Sequence, residues 1–431
     1  MNSLVIYKLI TLFAVLFIML LLKFPVFISM AASLGAVAVI FPKTIPLSVF
    51  GQGIISGLSS QSYVAVCFYF FLGEIMTNGG LGDRLINFMD ACIGHVRGSL
   101  SHINILSSMV FAGVSGSAVA DTASIGSMNL NLMKKAGYPA GYAAAVTAIS
   151  STIGPIIPPS SGLVMLGVYF GYSVQKLYIG GIIPGILMGV VMMIVSIYEA
   201  IKNNYPYTPW RGWKYVFKTA KDGLLACLLP AMILLCLLLG VGTVVEVGAT
   251  SCLFAIILAA IYKEITPKKL LQMLMRTTVL SAATLAMLAF AGMFTWLISS
   301  MGVASWIAAQ IAAIGASQPV IMAVCMIILF ILGMVVDVPV VLMVIFPVMV
   351  PVVKAMGIDP VWFSVLGLIV NQLGLCTPPV GTLIYMTAKI GDCPSSEVIK
   401  SLIPYIIGIV ILVALMIIFP QIVTFLPNAI G

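Results

Sequence analysis

The chain has 431 residues, 62% of them hydrophobic and only 7% charged, with a formal net charge of +8. So little charge cannot cover a water-soluble body of this size, which excludes a large soluble enzyme and predicts an all-α polytopic membrane protein. The lysine and arginine excess falls in short loops between apolar stretches, a pattern that sets topology and does not call for nucleic acid.

The N-terminal stretch MNSLVIYKLITLFAVLFIMLLLKFP places Lys8 before a 14-residue apolar run with no small-x-small site after it. A retained first helix is expected there rather than a cleaved leader. Apolar spans follow at 3–22, 24–41, 53–76, 99–119, 140–173, 177–199, 223–241, 243–262, 278–299, 303–333, 337–353, 361–387 and 402–426. Each has at least about 17 residues, enough to cross a hydrocarbon layer ~30 Å thick. Within FLGEIMTNGGLGDRL, Glu74 and Asn78 mark a helix end facing the protein interior, and Asp83 and Arg84 a solvated pair. Eight cysteines lie singly with no C-x-x-C pair, and His95 and His102 lie in or beside a polar connector, so neither a disulfide framework nor a metal centre is indicated.

The stretch FAGVSGSAVADTASIG, 111–126, is rich in small residues that suit close helix packing. Asp121 stands out, because a carboxylate at the edge of an apolar span is costly unless it is paired, bound to an ion or open to a cavity. Asp337 is its looser counterpart in the second half, or a solvated turn residue. ISSTIGPIIPPSSG, 149–162, then breaks an apolar segment with a glycine, three prolines and a cluster of hydroxyls. Proline lacks a backbone donor and pushes the residue before it out of the helical region, so Pro158 and Pro159 stop one short helix and start another. A re-entrant hairpin fits that pattern, since irregular backbone survives at membrane depth only inside protein or beside water.

The basic and aromatic stretch KNNYPYTPWRGWKYVFKTAKD, 202–222, bisects the chain and is expected along a membrane surface. It and the basic connector 263–276 share one face, assigned to the cytoplasm; Glu246, at a short turn between them, is expected exposed. Beyond the midpoint, GLCTPPVGT at 374–382 matches GPIIPPSSG at 154–162, with Gly154 and Gly374, Pro158 and Pro378, and Pro159 and Pro379 each 220 residues apart. Gly137 and Gly357 keep the same offset. Two repeat halves follow, 1–210 and 211–431, each with one hairpin, an arrangement frequent in transporters and usually inverted.

At each hairpin the turn frees carbonyls at the end of the first half-helix and N–H groups at the start of the second. Carbonyls with Ser150, Ser151 and Thr152 suit a small hard cation such as sodium, whereas the helix start at Ser160 and Ser161 suits a carboxylate. Asn371, Gln372 and Thr377, beside Pro378 and Pro379, offer the same in the second hairpin.

At these motifs the chain resembles the large, DctM-like membrane subunit of tripartite ATP-independent periplasmic (TRAP) transporters. The resemblance rests on FPVFISM, FFLGEIMTNGGLGDRLINF, the long block from GHVRGSLSHINILSSMVFAGVSGSAVADTASIGSMNLNLMKKAGYPAGYAAAVTAISSTIGPIIPPSSG, and NQLGLCTPPVGTLIYM. It implies a sodium-coupled uptake system for organic acid anions, such as C4-dicarboxylates or sialic acid, in a prokaryotic cytoplasmic membrane. It further implies an inverted-repeat elevator with scaffold and transport domains assembled from both halves, an extracytoplasmic solute-binding protein and a small four-helix membrane subunit, the latter expected as a separate chain. Sodium sites carried over from the resemblance lie around Ser115 to Ser117, Ser150 to Gly154 and Asn371 to Thr377, with Gly374 among them. Ser160, Ser161, Asp121, Thr377, Pro378 and Pro379 are the expected substrate set. No resident cofactor and no enzymatic activity are expected; a stand-alone sodium and dicarboxylate symporter is the alternative.

Overall fold

The computed structural model describes residues 3–42, 44, 46–56, 58–59, 63–207, 210, 212–303, 306–307, 309–310, 317–336 and 338–430. Asp337 and Arg211 lie outside that set. All regular structure among the described residues is helical. Among the described residues, six helices are long and apolar enough to cross a membrane: Ser3–Leu21, Val174–Lys202, Val244–Ile261, Pro267–Ser300, Val338–Ala355 and Ser395–Ile418.

The first half runs α1 (Ser3–Leu21), α2 (Val26–Ile40), α3 (Leu47–Ser56), α4 (Tyr63–Asn78), α5 (Leu81–Ile93) and α6 (Ser99–Ser115). A broken helix follows, α7 (Ala118–Asp121), a wide π segment (Thr122–Gly126) and α8 (Ser127–Lys135). The first hairpin is α9 (Ala140–Ser151) and α10 (Ser161–Phe170), and α11 (Val174–Lys202) leads out of it. The second half begins with α12 (Trp213–Leu238), α13 (Val244–Ile261) and α14 (Pro267–Ser300), then α15 (Gln318–Gly333). Another broken helix comes next, α16 (Val338–Val340), a π segment (Val341–Ile345) and α17 (Phe346–Ala355). The second hairpin is α18 (Pro360–Gly374) and α19 (Thr382–Gly391), followed by α20 (Ser395–Ile418) and α21 (Gln421–Ile430).

The run from broken helix through hairpin to long helix therefore occurs twice in the same order. The two halves share small details as well. Gly137 and Gly357, the turns before the hairpins, have φ of 89° and 68°, conformations that glycine adopts without a Cβ clash. Pro158–Pro159 and Pro378–Pro379 are both cis.

Local chemistry explains several helix starts. Thr243 and Glu246 form a reciprocal capping box at α13, so the exposed Glu246 has a structural task as well as the expected solvent exposure. Asp359 accepts from the Val361 and Trp362 amides at 2.7 and 3.0 Å, with Pro360 opening α18 where a missing N–H costs nothing.

The predicted spans differ from the helices at several places; α12 and α14 begin at Trp213 and Pro267, inside the expected basic connectors and ahead of the spans 223–241 and 278–299. The span 53–76 is two helices, α3 and α4, and 402–426 is divided between α20 and α21. α5 was not among the predicted spans, because its polar residues interrupt the apolar run although one face packs on α12 and α6. The span 99–119 ends at Ser115, where Gly116 turns the chain with φ of 60°.

Packing falls into two neighbourhoods. α2, α3 and α4 lie on α14, with α4 also on α13. Hairpin helix α9 packs on α6, α19 and α20, while α15 packs on α18. α4 also touches α6 and α10, which joins the two neighbourhoods along one seam.

Candidate functional site

A cavity of about 720 Å³ opens along that seam. Pro155, Ser161 and Gly162 of the first hairpin line it, with Gln372 and Leu375 of the second. Both broken helices contribute, through Ser117 to Ala120 and Val338 to Val340. The facing wall comes from α4 and α14, including Glu74, Asn78, Arg276 and Thr284.

Behind the cavity wall the first hairpin holds a buried polar cluster. Asp121 is fully buried; its Oδ2 accepts from Ser108 Oγ at 2.9 Å, and its Oδ1 has no partner. Ser108 Oγ lies 3.2 Å from Ser150 Oγ, Ser150 Oγ lies 3.4 Å from Asn104 Oδ1, and Asn104 Nδ2 donates to Thr147 Oγ1 at 2.8 Å. Thr122 Oγ1, next to Asp121 in the chain, is buried without a partner, as are both polar atoms of Asn129 farther along the broken helix. Burying an unsatisfied polar atom costs about 1–3 kcal/mol, and more for a charge, so a fully enclosed carboxylate with an idle oxygen needs a cation or a proton. The π segment after Asp121 supplies a second reason for the site, since such local widening leaves helical carbonyls without their usual partners.

The second hairpin repeats the pattern without a carboxylate. Asn371 is fully buried with neither amide atom partnered, Gln372 Oε1 is buried and unpartnered, and so is Ser364 Oγ. The end of α15 comes very close here: a Cβ on Gly333 would meet the Asn371 carbonyl oxygen at 2.7 Å, and one on Gly374 would meet Gly333 Cα at 2.8 Å. Glycine at both positions is what lets the two backbones approach. The hairpins also touch each other, through Cys376 Sγ and the Ala148 carbonyl at 3.3 Å.

The sequence-predicted residues separate into three groups. Ser161, Ser117 and Gln372 line the cavity. Ser150, Ser151, Thr152, Gly154, Asn371 and Gly374 are buried behind it, and Asp121 belongs with them rather than on the cavity wall. Ser151 and Thr152 donate their hydroxyls to the Thr147 and Ile149 carbonyls at 2.8 and 2.6 Å, which leaves their lone pairs for a ligand. Ser160 caps α10 by accepting from the Leu163 amide at 3.1 Å and donates to the Pro155 carbonyl, so both its contacts lie within the hairpin turn. Thr377 is half-buried and Pro378 and Pro379 are exposed, away from the cavity lining. The Ser115 side chain lies outside the described residues. Sequence reasoning missed Asn104 and Ser108, which sit on the uninterrupted helix α6, and Arg276, which looked like part of a solvated basic connector.

The family description "Tripartite ATP-independent periplasmic transporter, DctM component" matches residues 13–422. The sialic acid TRAP transporter large permease protein SiaM of Vibrio cholerae is 30% identical over 378 residues, covering 88% of each chain. The C4-dicarboxylate TRAP transporter large permease protein DctM of Pseudomonas aeruginosa is 28% identical over 376 residues, covering 86% of this chain and 88% of that one. In three dimensions the chain is similar to the YdaH transporter of Alcanivorax borkumensis, with a TM-score of 0.67 at 13% identity over 88% of this chain and 90% of the other, a likeness of fold. The family match across nearly the whole chain makes this protein a member of the tripartite ATP-independent periplasmic transporter family, its DctM-type large membrane permease and not an enzyme.

Proposed function

We propose that this permease takes up an organic acid anion together with sodium, receiving the anion from an extracytoplasmic solute-binding protein and working beside a small four-helix membrane subunit. The observation that carries this reading is the buried Asp121 cluster directly behind a cavity lined by both hairpins. An ion at Asp121, Ser108 and Ser150 would neutralise the carboxylate and order the first hairpin. A second at Asn371 and Gln372, with carbonyls from the close approach of α15, would do the same for the second hairpin. Ordering the hairpins places Ser161 and Gln372 around the cavity, which couples ion binding to anion binding.

The repeated order of elements supports two inverted halves, 1–210 and 211–431. In this reading α2 to α4 with α13 and α14 form the scaffold, and the hairpins with their neighbouring helices form the part that moves. The seam between the two neighbourhoods is then the sliding surface of an elevator. Names of the relatives place sialic acid and C4-dicarboxylates among the anions to try. The test is uptake of labelled sialic acid and succinate into proteoliposomes that contain this chain, its small subunit and its binding protein, with and without an inward sodium gradient.

A further inference from the structure

Among the described residues lining the cavity, Glu74 and Arg276 carry the only charges. An anion that enters a mostly apolar cavity gives up hydration and needs a counter-charge or oriented donors in exchange. Arg276 stands about two and a half turns inside the Pro267 start of α14. Its guanidinium offers five donors in a planar fork that matches a carboxylate.

Its present partner holds it loosely. Arg276 Nη1 lies 3.9 Å from Glu74 Oε2, and the arginine side chain is 64% exposed while that of Glu74 is 20% exposed. Glu74 itself is fixed, since Asn78 Nδ2 donates to the same Oε2 at 3.0 Å and to the Glu74 carbonyl at 3.1 Å. One member of the pair is anchored to the helix and the other is free to swing. On the opposite wall stand Ser161 and Gln372, from the two hairpins.

We infer that Arg276 is the cation that receives the substrate's carboxylate, and that Glu74 occupies it while the cavity is empty. The inference rests on the organic-anion reading above and adds to it the residue that recognises the charge. A carboxylate entering the cavity displaces the Glu74 carboxylate from the guanidinium and gains a shorter, charge-assisted contact in its place. Glu74 remains on Asn78, ready to reclaim Arg276 when the anion leaves. The exchange keeps an unpaired arginine from standing in the cavity between cycles, and it selects against neutral isosteres, which cannot displace the glutamate.

The two residues therefore predict effects of opposite sign. The reconstituted permease with its small subunit is titrated with succinate and with sialic acid by calorimetry in sodium, and uptake is measured in parallel with the binding protein. Arg276→Gln should weaken binding of the probe that the wild type carries by about 10-fold or more, with Arg276→Lys intermediate. Glu74→Gln should tighten it by about 3-fold, because the competitor is gone. Arg84→Gln serves as the control: Arg84 stacks over Tyr262 at 4.0 Å and pairs with Glu264 at 3.6 Å, off the cavity, and its loss should leave affinity unchanged. Wild-type affinity and uptake in Arg276→Gln, beside sodium-driven uptake by the wild type, overturn this inference and leave the transport reading standing. A wild type that takes up neither probe under a sodium gradient overturns the transport reading and this inference with it.

Discussion

The Cys376 thiol in the second hairpin reaches the Ala148 carbonyl in the first, 3.3 Å away across 228 residues of chain. Both ends of the contact are fully buried, where helix α9 of the first hairpin packs on α19 of the second. The thiol is small enough to fit and weak enough as a donor to be replaced by a hydroxyl. Cys376→Ser is expected to change stability by less than about 1.5 kcal/mol, whereas Cys376→Leu overfills the junction at a cost of about 1–3 kcal/mol. Thermal unfolding of the purified chain in detergent ranks the two; equal midpoints would mean the hairpins are not held together at this point.

Removing the charge at Asp121 should show in the ion dependence. Asp121→Asn keeps the shape and the Ser108 contact but takes the negative charge from the cluster. The sodium concentration for half-maximal uptake is expected to rise by about 10-fold or more, consistent with the loss of a buried ionic contact worth about 1.5–3 kcal/mol. Ser108→Ala should shift it in the same direction by less. An unchanged sodium half-saturation in Asp121→Asn would remove this carboxylate from the ion site.

The glycines at the close approaches should tolerate no side chain. A Cβ on Gly374 would lie 2.8 Å from both Gly333 Cα and Met334 N, atoms of backbone that cannot turn aside. At Gly116 the conflict is double, with φ of 60° and Ser161 N and Oγ both at 2.8 Å from the added carbon. Alanine at either position should cost about 1–3 kcal/mol and lower the unfolding midpoint by several degrees. Gly171→Ala is the comparison, because its φ of 67° carries the backbone penalty but nothing lies within 4 Å of its added carbon. If Gly116→Ala loses no more than Gly171→Ala, or if Gly374→Ala, whose φ is ordinary, loses nothing, the close approaches contribute nothing.

A hydrogen-bonded chain ties the first hairpin to the long helices behind it. Ser101 Oγ, Tyr142 OH, Tyr405 OH and Ser196 Oγ follow one another at 3.1, 3.1 and 2.8 Å, all buried. Tyr405→Phe removes the central link and leaves the buried Ser196 hydroxyl without a partner while Tyr142 keeps Ser101, at a cost of about 1–3 kcal/mol. The double variant with Ser196→Ala should lose less than the sum of the single losses, since the second substitution removes an atom already orphaned. Full additivity in a double-mutant cycle would show that the hydroxyls act independently.

Much of this architecture was legible in the chain because helix breakers carry strong local signals. Pro158, Pro159, Pro378 and Pro379 mark both hairpin turns in the sequence, where the hydroxyls around Ser150 and the amide of Asn371 read as oxygen ligands for a cation; in the structure these groups are buried. Other features depend on what only folding brings together. Ser108 and Asn104 sit in a helix with no break, so nothing local tells them from packing residues; Asp121 and Ser150 arriving beside them define their role. The π segments at Thr122–Gly126 and Val341–Ile345 left no breaker to read, since the second is an unbroken apolar run. Arg276 was masked by its neighbours Lys268 and Lys269, and only the cavity distinguishes it from them. Asp121 was expected to be a possible substrate contact, yet the burial that made it conspicuous also keeps it off the cavity wall.

The most direct test of the account is the response of anion uptake to the sodium gradient in proteoliposomes holding this permease, its small subunit and its binding protein. The account predicts uptake of the carried carboxylate when sodium is high outside, falling to background when potassium replaces sodium or when the gradient is collapsed. Uptake of the same rate and extent with no sodium gradient would contradict it.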